Sequence, residues 1–113
     1  MTPPLRHAIR AAQDHKAQEL NILDLQGVSS FTDFFVICTG TSTRHTQAIC
    51  DGVVEELATS GVKPAHIEGY TRAEWILIDY LNFVVHIFLE SARHFYDLER
   101  LWKTAPRVEA PSG

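Results

Sequence analysis

A strand-like run, Phe34–Thr39, stops at Gly40 and is followed by Thr41, Ser42 and Thr43 before a helical pattern begins. Strand, small-residue turn and helix start, in that order, are how many α/β proteins seat a phosphate, because amide hydrogens and the helix dipole converge there. The same order also starts an ordinary helix on a hydroxyl N-cap. The partners of the turn separate the two readings. A Walker-type loop needs Lys before its Ser/Thr, and this turn has none; a dinucleotide fingerprint needs three spaced glycines, and Gly40 stands alone. Nucleotidyl transfer needs paired carboxylates to hold Mg²⁺. Asp24, Asp33 and Asp79 are each isolated, and Asp97 and Glu99 are two apart on a predicted helix, a spacing that separates side chains there. Capping by Ser42 or Thr43 is the better reading. No residue takes a catalytic role, and the protein is read as not an enzyme.

The other chemistry-bearing types are scattered. His7, His15, His45, His66, His86 and His94 make no i, i+4 pair on one helix and no H-x-E group, so no metal or cofactor is expected. Cys38 falls in the apolar strand and Cys50 on the apolar side of the following helix, where thiols are inert and buried. With no C-x-x-C, no apolar leader and no run long enough to span a bilayer, the chain is expected to be intracellular and cytoplasmic, without membrane contact.

The elements that position these residues follow from periodicity. Leu5, Ala8, Ile9 and Ala12 predict a helix over Leu5–Gln18, entered through Pro3 and Pro4. Leu20–Leu25 alternates as a strand, and Asp33–Thr39 is apolar enough for a central one. The second helix runs to about Ser60, with Ile49, Cys50, Val53 and Leu57 as its stripe and Gly61 as its stop. Pro64–Gly69 holds a short strand, Glu74–Tyr80 and Phe83–Leu89 form a hairpin, and Ser91 caps a third helix reaching Trp102 with Phe95, Leu98 and Trp102 on one side. The fold class is α/β (α+β), with about five strands in a mixed sheet and three helices packed on it. Residues 1–103 make one domain, and 104–113 read as a flexible tail.

The hairpin carries the strongest pattern. With Leu81-Asn82 as its turn, Tyr80 faces Phe83, Asp79 faces Val84, Leu77 faces His86 and Trp75 faces Phe88. Trp75, Leu77, Asp79, Val84, His86 and Phe88 then share one sheet face, and Ile76, Ile78, Tyr80, Phe83, Val85 and Ile87 share the other. The second face is uniformly large and suits a helix-covered core. The first mixes aromatics with a carboxylate and an imidazole, which are costly to bury unpaired. It is either a half-open partner surface or a second covered face with Asp79 and His86 at its rim. The turn itself conflicts with its residues, because a tight primed turn wants φ > 0, which suits Asn82 better than Leu81. A longer turn, or a strained Asn82, would resolve the conflict.

Charge adds a direction. The net charge is −4, and from Pro64 to Glu99 the acids Glu68, Glu74, Asp79, Glu90, Asp97 and Glu99 face only Arg72 and Arg93. That argues against nucleic-acid binding through a basic surface; the acidic face is either a plain solvated surface or one that suits a basic protein partner.

Three blocks in order, SSFTDFFVICTGTSTRHTQAI, EGYTRAEWILIDYLNFVVHIF and RHFYDLERLW, resemble the ribosomal silencing factor family, also called RsfS or Iojap-like, over roughly Leu20 to Trp102. The resemblance implies a nucleotidyltransferase-like fold without the catalytic carboxylates. It further implies a translational repressor that binds the large ribosomal subunit through the ribosomal protein numbered fourteen, blocks joining of the small subunit and lowers translation when nutrients are scarce. Organellar relatives are expected to act in ribosome biogenesis, so an assembly adaptor is the alternative role, and members can form homodimers. The partner-binding residues expected are Trp75, Leu77, Asp79, Tyr80, His86, Asp97 and Glu99. Leu81-Asn82 departs from the family's usual Gly-Asp at the hairpin turn.

Overall fold

The computed structural model describes residues 1–110. Helix α1, Pro3–Asp14, opens on two prolines, whose missing N–H groups fall where a helix has no use for them, and buries Leu5, Ala8, Ile9 and Ala12. It ends short of the expected Gln18 because Lys16 adopts φ 64° and turns the chain into β1, Gln18–Asp24. Strand β2, Phe34–Gly40, returns antiparallel to β1, with Ile22 opposite Val36. Helix α2, Thr43–Ala58, starts on Ser42, whose Oγ accepts from the His45 amide at 3.0 Å. Gly61, at φ 75°, lets its own amide and that of Val62 reach back to the carbonyls of Ala58 and Leu57 and close the helix.

Strands β3, His66–Glu68, β4, Trp75–Asp79, and β5, Phe83–Leu89, complete the central sheet. Its order is β3-β4-β5-β2-β1-β6, and β2 with β5 is its parallel pair. The sixth strand is the difference from expectation. β6, Arg107–Val108, pairs with Ile22 and Leu23 of β1, and the Asp24 amide donates to Pro106 O at 2.8 Å. The chain beyond Thr104 is therefore tied to the sheet at least as far as Val108, with Ala105 buried; the last of the expected tail, 111–113, lies outside the described residues.

The expected third helix is broken in two. Helix α3, Glu90–Tyr96, and the single turn α4, Leu98–Leu101, meet at Asp97, which is left-handed at φ 46°. Leu89 occupies the N-cap of α3 without a side-chain bond, so Ser91 does not cap it. The break has a tertiary cause. In a continuous helix, residues six apart point to different sides. Here Arg93 and Glu99 form a two-point pair, Nε to Oε1 at 3.0 Å and Nη2 to Oε2 at 3.1 Å. Arg93 also donates through Nη1 to Thr39 Oγ1, at 2.8 Å, and to the Glu19 carbonyl, and Asn21 donates to Glu99. This cluster fastens the segment to the ends of β1 and β2.

Two apolar layers result. Helices α1 and α2 cover one sheet face over Ile22, Val36, Cys38, Ile76, Ile78, Val85 and Ile87. The α3–α4 segment covers part of the other, over Leu23, Ile37 and Phe88. Cys38 and Cys50 are free and buried, and burial first of all pushes both thiols up to about 12.

Candidate partner-binding face

The Gly40 turn is closed by its own side chains. The Thr41 amide donates to His45 Nδ1 at 2.9 Å, the His45 amide donates to Ser42 Oγ, and His45 Nε2 donates to the carbonyl of His15 at 2.8 Å. A Cβ at Gly40 would meet Thr46 Cγ2 at 2.7 Å, so the turn is packed against α2. The carboxylates are remote from it. Asp24 pairs with Phe34, and Asp79 lies opposite Val84, itself paired with Phe35, so Asp24, Asp33 and Asp79 gather at the opposite end of β2. At ~3.3 Å per residue, the seven residues of β2 put about 20 Å between the two ends. Asp24 and Asp79 each accept from nearby backbone, the amides of Gln26 at 2.9 Å and Leu81 at 2.8 Å. Ser42 therefore serves as an N-cap.

The hairpin register is the expected one: Trp75 opposite Phe88, Leu77 opposite His86 and Asp79 opposite Val84. The face built from these residues is half covered. Phe88 is buried beneath Trp75, the rings stacked at 5.0 Å, and the Tyr96 ring of α3 lies tilted 4.8 Å from the Trp75 ring. At the other end Trp102 packs edge-on against Phe35 at 5.8 Å. Between these covers, Trp75, Leu77 and Asp79 remain half-exposed. A depression of about 460 Å³, lined by Glu68, Gly69, Trp75 and Leu77, opens along the β3 side. The residues of β3 are exposed throughout, and His66 Nε2 lies 3.0 Å from Glu68 Oε1 along the strand.

The sequence-derived site residues divide accordingly. Trp75, Leu77 and Asp79 share the half-open face, and Asp97 is exposed on the hinge between α3 and α4. His86 is on that face but buried, 3% exposed, and works from beneath: its Nδ1 accepts the Trp75 indole N–H at 3.1 Å and fixes the ring. Burial holds its imidazole neutral, with a pKa down at about 3. Tyr80 is on the opposite face, buried and stacked on Phe83 at 5.0 Å, with its phenol pushed up to about 12 chiefly by burial. Alternation places Tyr80 on the core face, and there it lies, so the structure does not present it among the expected partner-binding residues. Glu99 is turned inward to Arg93; burial raises its carboxyl, but the hydrogen bonds of Arg93 and Asn21 outweigh this and hold it low. Arg93, Phe31, Thr32 and Trp102 also shape this face, and sequence reasoning missed their part in it. Arg93 did carry one signal, as one of two arginines in an acidic stretch, with Glu99 six residues on.

The arrangement defines a class: a mixed α/β domain that presents one aromatic-centred, acid-rimmed sheet face, with the helix start of its fold closed by its own side chains. A family model described as ribosomal silencing factor during starvation, RsfS, matches residues 2–112. A ribosomal silencing factor RsfS from Halalkalibacterium halodurans is 40% identical over 105 residues, covering 93% of this chain and 90% of that protein. The mouse mitochondrial assembly of ribosomal large subunit protein 1 is 31% identical over 80% of this chain and 41% of its own length. A solved Chromobacterium violaceum structure superposes with a TM-score of 0.86 at 31% identity, covering 97% of this chain and 91% of that one. The chain belongs to the ribosomal silencing factor family.

Proposed function

We propose that this protein is a translational repressor that binds the large ribosomal subunit, without catalysis or cofactor, through the ribosomal protein numbered fourteen. Seated there, it occupies space the small subunit needs and so prevents joining when nutrients are limiting. The observation that carries this reading is the half-open face of Trp75, Leu77 and Asp79. A fixed aromatic surrounded by apolar surface and rimmed with acid is how a docking site for a basic protein is built. The Trp75 indole is held by its hydrogen bond to His86 and by packing on Phe88 and Tyr96, so little side-chain entropy is lost on binding. The net charge of −4 favours a protein contact over one to RNA phosphates, and the acids steer approach to a basic partner in the cytoplasm.

A second reading, an adaptor for large-subunit assembly, draws on the name of the mouse relative, and the docking face would serve it equally. Light scattering with purified subunits tests the repressor reading. Added protein is expected to lower the amplitude of subunit joining when mixed first with large subunits. Unchanged joining at saturating protein would overturn it, and binding confined to large-subunit precursors would favour the adaptor.

A further inference from the structure

A groove of about 210 Å³ opens on the same sheet face, between the β1–β2 loop and Trp102. Its walls are Phe31, Phe35, Leu77, Val84 and Trp102. Thr32 and His86 also line it, both buried, and neither Thr32 Oγ1 nor His86 Nε2 has a hydrogen-bond partner. The ring's tautomer follows from its other nitrogen. Since Nδ1 accepts from Trp75, the hydrogen of the neutral imidazole is on Nε2. The Phe35 and His86 rings, 74° apart with centroids at 4.5 Å, give that hydrogen at most a weak contact with π electrons. Buried polar atoms are nearly always matched, and two unmatched ones in a single groove point to an acceptor that arrives from outside.

The mouth of the groove supplies the rest. Phe31 is 87% exposed, and Val28 and Leu81 are exposed at the same end of the sheet. The Asp33 amide donates to Asn82 O at 3.0 Å and ties that loop to the hairpin turn. Asp79 lines the groove as well. Large aromatics left in water beside a partly filled groove are the usual form of an anchor site.

We propose that this groove is a socket for one side chain of a protein partner. It takes a branched aliphatic or aromatic side chain, the adjoining backbone carbonyl accepts from His86 Nε2–H and the Thr32 hydroxyl, and a neighbouring Lys or Arg meets Asp79. Neither polar atom is open to water in the free protein, so the carbonyl reaches them as the arriving side chain parts the walls; Phe31, the most exposed of them, is the wall that yields. The acidic mouth rejects phosphate, and it also opposes a second copy of this acidic chain. That the occupant belongs to the large subunit rests on the function proposed above; the chemistry of the socket does not.

Two measurements on the full chain separate the claims. N-acetyl-leucine methylamide, which carries the side chain and the carbonyl, is titrated into isotope-labelled protein. The His86 Nε2–H resonance is expected to move downfield and the amides of Thr32, Leu77 and Val84 to shift, with both responses reduced about tenfold in apparent affinity by Phe31→Ala and by Thr32→Val. Melting of Phe31→Ala should match wild type, given its exposure. In parallel, Phe31→Ala should weaken large-subunit binding about tenfold. No movement of these resonances up to the solubility limit overturns the socket, even where large subunits still bind. Probe binding without any wild-type binding to large subunits upholds the socket and removes the ribosomal reading. A dimer converted to monomer by Phe31→Ala, with subunit binding unchanged, identifies a second copy as occupant and overturns the proposal.

Discussion

His86 holds the Trp75 indole through a nitrogen that must stay unprotonated. Burial depresses its pKa in the folded protein to about 3, from an ordinary 6.5 in the unfolded chain. Between those values the unfolded chain binds the extra proton, so acid favours unfolding over that whole window. Stability is expected to fall by roughly 1.4 kcal/mol per pH unit as pH drops below about 6.5. His86→Gln keeps an acceptor for Trp75 and removes the titration. Urea unfolding of both proteins from pH 7 to pH 5 should show a slope shallower by about one proton in the variant; equal slopes would place the acid sensitivity elsewhere. Leu81 makes a second claim at this scale. It is 65% exposed at φ 72°, and the Asn82 amide closes a tight turn onto Tyr80 O at 2.9 Å. Left-handed backbone costs a residue with a Cβ roughly 1–2 kcal/mol. Leu81→Gly is therefore expected to raise the melting temperature by a few degrees, since little apolar burial is lost. A lower melting temperature would show that the Leu81 side chain contributes more than its backbone costs.

At the scale of elements, the Arg93 cluster decides how the half-open sheet face is covered. Arg93 and Glu99 side chains are 10% and 18% exposed, so cutting the pair leaves a cation with its main partner gone. Removing one member of a buried pair typically costs about 3–5 kcal/mol. Glu99→Ala should lose a substantial part of that and should also free α4, seen as increased amide exchange over 97–102 with α2 unchanged. Exchange rising evenly through the chain would mean that this segment is not a separate unit. Because the Glu99 carboxyl is held low when folded, its contribution is fully present above the ordinary carboxylate value and is lost as pH falls through the depressed one.

These elements also show where sequence was legible. The β4–β5 register was readable because a period of two and a two-residue turn leave one alignment that buries Ile76, Ile78, Val85 and Ile87 together. The α3–α4 break was not, since its cause is a pairing of Arg93 with β1, β2 and Glu99 that no local pattern encodes. Two paired residues in β6 are too few for any periodic signal. The turn residues were recognised but not their division of strain: the positive φ falls on Leu81 rather than on Asn82. At the candidate site, the grouping of Trp75, Leu77 and Asp79 was legible. The burial of His86 was not, because it depends on aromatic covers supplied by Phe35 and Trp75.

For the whole molecule, the central claim is that one acid-rimmed sheet face docks on the large ribosomal subunit. Asp79→Asn probes it with little structural disturbance, because the amide oxygen can still accept from the Leu81 N–H that Asp79 now holds at 2.8 Å. Losing a rim charge should weaken binding by about 1 kcal/mol, roughly fivefold, and the loss should shrink as salt is added. The direct measurement is sedimentation of the wild-type protein and of Asp79→Asn with purified large subunits, small subunits and joined ribosomes at two salt concentrations. The expected result is wild-type protein in the large-subunit fraction alone, with Asp79→Asn retained more weakly at low salt. Co-sedimentation with small subunits, or with neither subunit, would contradict the account, as would equal retention of both proteins at low salt.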